Sequence, residues 1–373
     1  MHRPIRILAR VALASLLSGV PGVLAAQRDA APRPKVLVIA TGGTIAGVQD
    51  APGTLGAYRA GTLTAEQILA SVPGVSAVAQ VETEQFSNVA SALITPDQWV
   101  ALARRIDGVL RTRPDLAGVV VTHGTDRLEE TAFFLYLTVR SEKPVVLVGA
   151  QRPATGISAD GPINLLAAVR TAAAPQAVGK GVLVVMDDRI ISAREVRKHY
   201  QRVGGFDGGD MGMLGVVTRT GPEFFYAPVR RRGPRSEFDL AGVTTLPDVD
   251  LVFAYPGSTG RTYSSPPAGI VVSVTGFTCA ESVTYQRLTR AGVVVVDAFP
   301  SGDNVAVADP TDSSQTRFHV QCPEVDSAFV FGAPWLPMIG VQRLTPQKAR
   351  ILLMLALTRT RDPHDIQRFF DTY

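Results

Sequence analysis

Two segments of this chain combine hydroxyls with glycines at close spacing: Thr41-Gly42-Gly43-Thr44-Ile45-Ala46-Gly47 and Thr122-His123-Gly124-Thr125-Asp126. Glycine lets a backbone approach a ligand closely, and a threonine hydroxyl becomes a nucleophile once a neighbour draws off its proton. Thr44 is the candidate nucleophile, although a tight turn alone also explains a Gly-Gly pair. Tyr58 is the first candidate activator. It lies in Gly56-Ala57-Tyr58-Arg59-Ala60-Gly61, whose small residues suit a mobile lid, though a loop tyrosine is commonly a packing residue. Thr125 and Asp126 form a second pair. Asp126 can accept a substrate ammonium and Thr125 can position a water, while Asp126 would serve equally as a cap for a helix beginning at Arg127. Lys198 completes the set. The chain has 32 arginines and only five lysines, and lysine can act as a base when burial lowers its pKa, which arginine cannot.

These residues need elements to position them. Each glycine turn follows a short apolar run, 35–40 and 117–121, of the kind that forms a buried parallel strand. The turns therefore fall beyond the carboxyl ends of strands, where open α/β sheets bind ligands. Further strand runs are 144–148 and 181–186, and helical stretches include 127–140 and 161–173. Thr64-Ala65-Glu66-Gln67 reads as a capping box opening a helix to Ser71. Thr95-Pro96-Asp97-Gln98 opens another, followed at helical spacing by Trp99, Leu102, Ile106 and Val109. The alternation predicts a parallel sheet covered by helices. Residues 228–249, rich in proline and arginine, read as a linker. A second α/β unit follows over 250–373, with strands 250–254, 269–274 and 292–297, a helix from Thr345-Pro346 through Leu357 and another after Asp362-Pro363. The expected fold is α/β in two domains: a larger N-terminal parallel-sheet domain over 35–227 with flavodoxin-like layering, and a smaller C-terminal one. Residues 301–323 form a long polar stretch that reads as a loop.

Length and composition agree with this organisation: 373 residues suggest about two domains at ~150 residues each, and 46% apolar content suits a large core. The formal charge of +4 owes three units to Arg3, Arg6 and Arg10, so the remainder is near neutral and gives no sign of a nucleic-acid or anionic-membrane partner. Residues 1–26 read as an export signal: a basic start, an apolar run and small residues Val23-Leu24-Ala25-Ala26. An uncleaved anchor is the alternative, but the run is short of the ~20 apolar residues a span needs. Residues 27–34 read as a disordered lead-in. Cys279 and Cys322 can pair in an oxidising compartment or stay as buried thiols. The five histidines show no metal-ligand spacing. His123-Gly124-Thr125 invites a subtilisin-like reading, but no Gly-Thr-Ser or Gly-x-Ser-x-Gly motif supplies the serine, and no Gly-x-Gly-x-x-Gly or P-loop lysine marks a nucleotide site.

The segments Ala40-Thr41-Gly42-Gly43-Thr44-Ile45-Ala46-Gly47 and Val121-Thr122-His123-Gly124-Thr125-Asp126 resemble the two signatures of bacterial L-asparaginases, most strongly the secreted type II enzymes. The resemblance extends through Pro144-Val145-Val146-Leu147-Val148-Gly149-Ala150, Ser158-Ala159-Asp160-Gly161-Pro162 and Pro346-Gln347-Lys348-Ala349-Arg350. It implies hydrolysis of L-asparagine through an acyl-enzyme on Thr44, with Tyr58, Thr125, Asp126 and Lys198 as the other catalytic residues. It also implies that Ser91 holds the substrate α-carboxylate, that Asp126 holds the α-amino group, and that Gly43 lies beside the substrate. The implied protein is a cofactor-free, metal-free periplasmic or secreted homotetramer acting on a small amino-acid amide. This chain departs from the family pattern at Ala92-Leu93, where Gln or Glu is common, and at Phe277, where an Asn normally follows the glycine. Two other readings fit the residues: an amidohydrolase of another amide (glutamine, a D-amide or a peptide-linked residue), and a catalytically inactive amino-acid-binding protein built on two α/β lobes.

Overall fold

The computed structural model describes residues 32–51, 53, 57–302, 322–325, 338–341 and 343–373. The expected export signal, most of the lead-in and most of the polar stretch lie outside these residues. The large sheet contains β1 (Lys35–Gly42), β2 (Gln80–Val89), β3 (Leu116–Thr122), β4 (Val145–Val148), β5 (Val182–Met186), β6 (Arg189–Ser192), β7 (Met213–Thr218) and β8 (Gly221–Phe224), in the spatial order β8-β7-β6-β5-β4-β3-β1-β2. Strands β2, β1, β3, β4 and β5 run parallel, and β6, β7 and β8 extend the sheet antiparallel. The chain goes from β1 to a neighbour on one side and then crosses to β3 on the other. The sheet thus reverses its winding between β1 and β3, which is the flavodoxin-like arrangement.

Burial explains why these strands read as they do. β1 is buried except at Lys35, and β4 and β5 are buried at every residue. Helices cover both faces, so each central strand is a continuous apolar run. The helices are α1 (Ala65–Ala70), α2 (Pro96–Thr112), α3 (Leu128–Thr138) and α4 (Gly161–Ala173). Both expected capping boxes form: Thr64 and Thr95 accept from the backbone of Gln67 and Gln98, whose side chains reach back to the caps.

The smaller sheet is fully parallel, in the order β9 (Val249–Phe253), β10 (Gly269–Ser273), β11 (Val294–Ala298), β12 (Ile339–Gly340). Helices α5 (Cys279–Arg290), α6 (Pro346–Ala356) and α7 (Pro363–Thr372) accompany it. Helix α6 packs on β9 and β10 and also on α3 of the larger sheet, and both sheets belong to one unit, Arg33–Tyr373. The connecting residues 228–249 are anchored. Phe238 is buried against Phe369 and Tyr373 with ring centroids 5.0 and 4.9 Å away, and Arg104 donates to the carbonyls of Leu240 and Val243. Cys279 and Cys322 form a disulfide, with Cα atoms 5.3 Å apart. Among the described residues, no helix is long and apolar enough to cross a membrane.

Candidate active site

The site begins where β1 and β3 end side by side. Gly43 holds φ 84° and ψ −168°, a conformation close to glycine-only. A methyl there would stand 2.2 Å from the Cα of Gly124, so the two glycine turns lie backbone against backbone. Thr41 strengthens the junction by donating its hydroxyl to the Thr122 carbonyl at 2.9 Å. The Gly43 N–H is spent on the Val89 carbonyl at 3.0 Å, so toward a substrate this residue offers space rather than a donor.

Thr44 opens a one-turn helix, Thr44–Ala46, and is 7% exposed. Its Oγ1 lies 2.7 Å from the Tyr58 hydroxyl. Tyr58 sits in a two-residue ribbon, Tyr58–Arg59, paired antiparallel with Val48–Gln49, and its ring lies over Gly47, where a Cβ would approach Cδ2 to 2.7 Å. The segment returns through Gly61 N–H to the Gly43 carbonyl (3.0 Å) and Thr62 N–H to the Ala46 carbonyl (2.7 Å). The stretch read as a lid is therefore tied at its base to Thr44's own turn.

The second set forms on the β3 turn. Lys198 Nζ donates to Thr125 Oγ1 and to Asp126 Oδ1, both at 2.9 Å. Thr125 is buried, the Lys198 side chain is nearly so, and the Asp126 carboxylate is 53% exposed. Asp126 is not the cap of α3: that position falls to Arg127, which makes no side-chain cap. Ser91 takes over instead, its Oγ accepting from the N–H groups of Asp126 (3.2 Å) and Arg127 (3.3 Å). A Cβ on Gly124 would meet Ser91 Oγ at 2.6 Å, so all six sequence-selected side chains stand on or against the two turns.

His123 is shut away from any substrate in the cleft. It is fully buried, its Nδ1 pairs with the Gly124 carbonyl at 2.8 Å, and burial pulls its pKa down to about 4, leaving the ring neutral at pH 7. Among the described residues, no group of three or more His, Cys, Asp and Glu is placed to hold a metal ion. Two residues escaped the sequence reading. Glu129 Oε2 accepts the Lys198 backbone N–H at 2.6 Å, and the Lys348 ammonium is buried beneath the segment leading to Lys198. The sequence trace of the latter is its place in Pro346-Gln347-Lys348-Ala349-Arg350, one of the segments that carry the family resemblance.

A family model described as "Asparaginase, N-terminal" matches residues 35–230, the whole span that builds both turns and Lys198. This chain belongs to the asparaginase family. It is 37% identical to L-asparaginase 2 of Bacillus subtilis (strain 168), over 91% of this chain and 87% of that protein. It is 36% identical to L-asparaginase 2 of Escherichia coli (strain K12), over 98% of this chain and 99% of that one. Among solved structures it resembles a probable cytoplasmic L-asparaginase from Campylobacter jejuni, with a TM-score of 0.80 and 34% identity, covering 91% of this chain and all of that one. The type II asparaginase resemblance and the α/β architecture read from the sequence both stand. So does the smaller parallel C-terminal sheet, which the asparaginase family model itself does not reach.

Proposed function

We propose that the protein hydrolyses the side-chain amide of L-asparagine to L-aspartate and ammonia through an acyl-enzyme on Thr44. The observation that carries this reading is the 2.7 Å contact between Thr44 and Tyr58 beside a lysine shared by Thr125 and Asp126. Two hydroxyls, each with its own proton partner, converge where the sheet reverses its winding. A binding protein has no use for that pairing.

Thr44 Oγ attacks the amide carbon as its proton passes toward the Tyr58 oxygen. The tetrahedral intermediate collapses, the C–N bond breaks, and the nitrogen leaves as ammonia after gaining a proton. Because Lys198 donates into Thr125 Oγ1, the Thr125 hydroxyl hydrogen is directed away from the lysine, toward the leaving nitrogen or an attacking water. That water then breaks the acyl–oxygen bond, releasing aspartate and restoring the Thr44 hydroxyl. Asp126, with its carboxylate half open to solvent, accepts the substrate ammonium, and the Ser91 hydroxyl meets the α-carboxylate.

The test is ammonia release from asparagine by wild type and Thr44→Ala, with mass spectrometry for an acyl adduct. A folded Thr44→Ala protein with near-normal turnover would sink the mechanism. We further propose export, on the strength of the tripartite N-terminus, with intact-mass measurement of protein from its host as the check. A homotetramer is the proposed assembly. Phe225, Tyr226, Val229, Phe253 and Tyr255 are large exposed apolar side chains that favour self-association, with Val229 89% exposed. Light scattering that found an active monomer would remove it.

A further inference from the structure

We propose that Lys348 and Glu129 are positioning residues for Lys198, clamping the backbone that carries it from two sides. The inference rests on the reading of Lys198 as a catalytic group. Lys198 has little local support. It lies in a two-residue strand, Arg197–Lys198, paired among the described residues only with Phe206–Asp207. A ribbon that short does not hold a side chain in place by its own ladder, yet the ammonium must meet Thr125 and Asp126 together.

The missing support comes from elsewhere in the chain. On one side, Glu129 in the first turn of α3 accepts the Lys198 N–H at 2.6 Å. On the other, Lys348 of α6 is 1% exposed and donates to the carbonyls of Arg194 (2.7 Å) and Val196 (2.5 Å), the latter two residues before Lys198. The same ammonium lies 5.8 Å from the ring centroid of Phe133, also on α3. Lys348 therefore touches both the helix that begins beside Asp126 and the segment that delivers Lys198.

A buried ammonium is a costly way to fill space. Burial above all pushes its pKa down to about 8, although the Glu129 and Glu195 carboxylates favour the charged form, and an apolar residue of similar volume would usually be neutral or better for stability. What an apolar residue cannot do is hold two carbonyls at a fixed spacing. Helix α6, which packs on the smaller sheet, thus sets the geometry of a lysine in the Arg197–Lys198 ribbon.

The test compares the full-length variants Lys348→Met, Glu129→Leu and Glu129→Gln with Lys198→Met, reading kcat, KM and thermal midpoint for each. Lys348→Met and Glu129→Leu are expected to lower kcat by roughly 10–100-fold with KM changed by less than about 3-fold, since Lys198 is displaced while the substrate clamp stays. Glu129→Gln retains an acceptor oxygen and should recover most of kcat. Combined with Lys198→Met, either disruptive change should add little to the loss already present, because the residue it positions is gone. A merely structural role would lower the thermal midpoint at unchanged kcat in the folded fraction, and would overturn the proposal. If Lys348→Met does not fold, the Glu129 pair decides: Glu129→Leu at wild-type kcat overturns it. Wild-type kcat in Lys198→Met would instead refute the functional reading itself. An inactive Lys198→Met beside a fully active, folded Lys348→Met would refute this inference alone.

Discussion

Replacing Gly43 by alanine should separate the two halves of the site without touching any side chain that does chemistry. The new methyl would lie 2.2 Å from Gly124 Cα and 2.4 Å from Gly124 N, both backbone atoms that cannot swing away. Carbon atoms pack at ~3.5–4.0 Å, so the β1 and β3 turns must part by more than ~1 Å. A misplacement of about that size at reacting groups can cost ~10²-fold in rate. Overpacking adds about 1–3 kcal/mol of destabilisation, and forcing a side chain into the Gly43 dihedrals adds about as much again. The expected result is a kcat for ammonia release down ~10²-fold and a thermal midpoint lowered by several degrees. Gly108→Ala serves as the control. Gly108 lies within α2 with nothing near its missing Cβ, and alanine there should stabilise by up to about 1 kcal/mol with kcat unchanged. Gly43→Ala with kcat within ~3-fold of wild type would mean that the approach of the two turns does not govern the chemistry.

Four further outcomes are expected. Tyr58→Phe removes the 2.7 Å partner of Thr44 and should lower kcat by ~10²–10⁴-fold with the fold intact, read by steady-state kinetics beside circular dichroism. Asp297 is pushed up to about 7 by burial, so the native state holds a proton that the unfolded chain gives up near pH 4. Its contribution is complete below pH 4 and is lost as pH rises toward 7, so Asp297→Asn should be stabilising at pH 8 relative to wild type, and less so at pH 4. Cys279 and Cys322 are 43 residues apart in sequence, and in the chain-entropy picture reduction should cost about 4 kcal/mol, seen as a lower denaturation midpoint in dithiothreitol that Cys279→Ser reproduces. Asparagine should have a higher kcat/KM than glutamine, because Ala92 and Phe277 stand where polar contacts to the substrate are usual in the family and a longer amide has more freedom to lose; equal values would show that the clamp is built from other residues.

The central strands were legible because both faces are covered. Runs such as 144–148 and 181–186 have no polar positions to confuse the pattern. β2 was not, because Gln80–Val89 is an edge strand in which every residue is at least partly exposed, so glutamates and glutamines interrupt its apolar pattern. The antiparallel β6–β8 extension also passed unread, since short strands with polar ends resemble loops. In the site, Thr44 and Thr125 were marked by neighbouring glycines, which a tight turn or a close backbone approach explains equally from sequence; the structure shows the close approach. Lys198 could be suspected from its rarity, but its bond to Thr125 spans 73 residues, and no local pattern encodes that. That Glu129 and Lys348 reach the segment carrying Lys198 was hidden for the same reason. Their contacts to the 194–198 segment close over 69 residues and about 150, and helix periodicity assigns each only a face.

The pairing of β1 with β3 makes turnover a clock for folding. Lys35 aligns near Leu116 and Ala40 with Thr122, so the Thr44 turn and the Thr125 turn meet only after a loop of some eighty residues has closed. Closing such a loop spends entropy before any contact rewards it, and non-local pairings of this kind form slowly. Helices capped at Thr64, Thr95 and Thr345 have local instructions and can form earlier. During refolding from denaturant, far-ultraviolet ellipticity should therefore return ahead of ammonia release. The interval between the two signals measures the time a chain spends with its helices made and its two hydroxyls still apart.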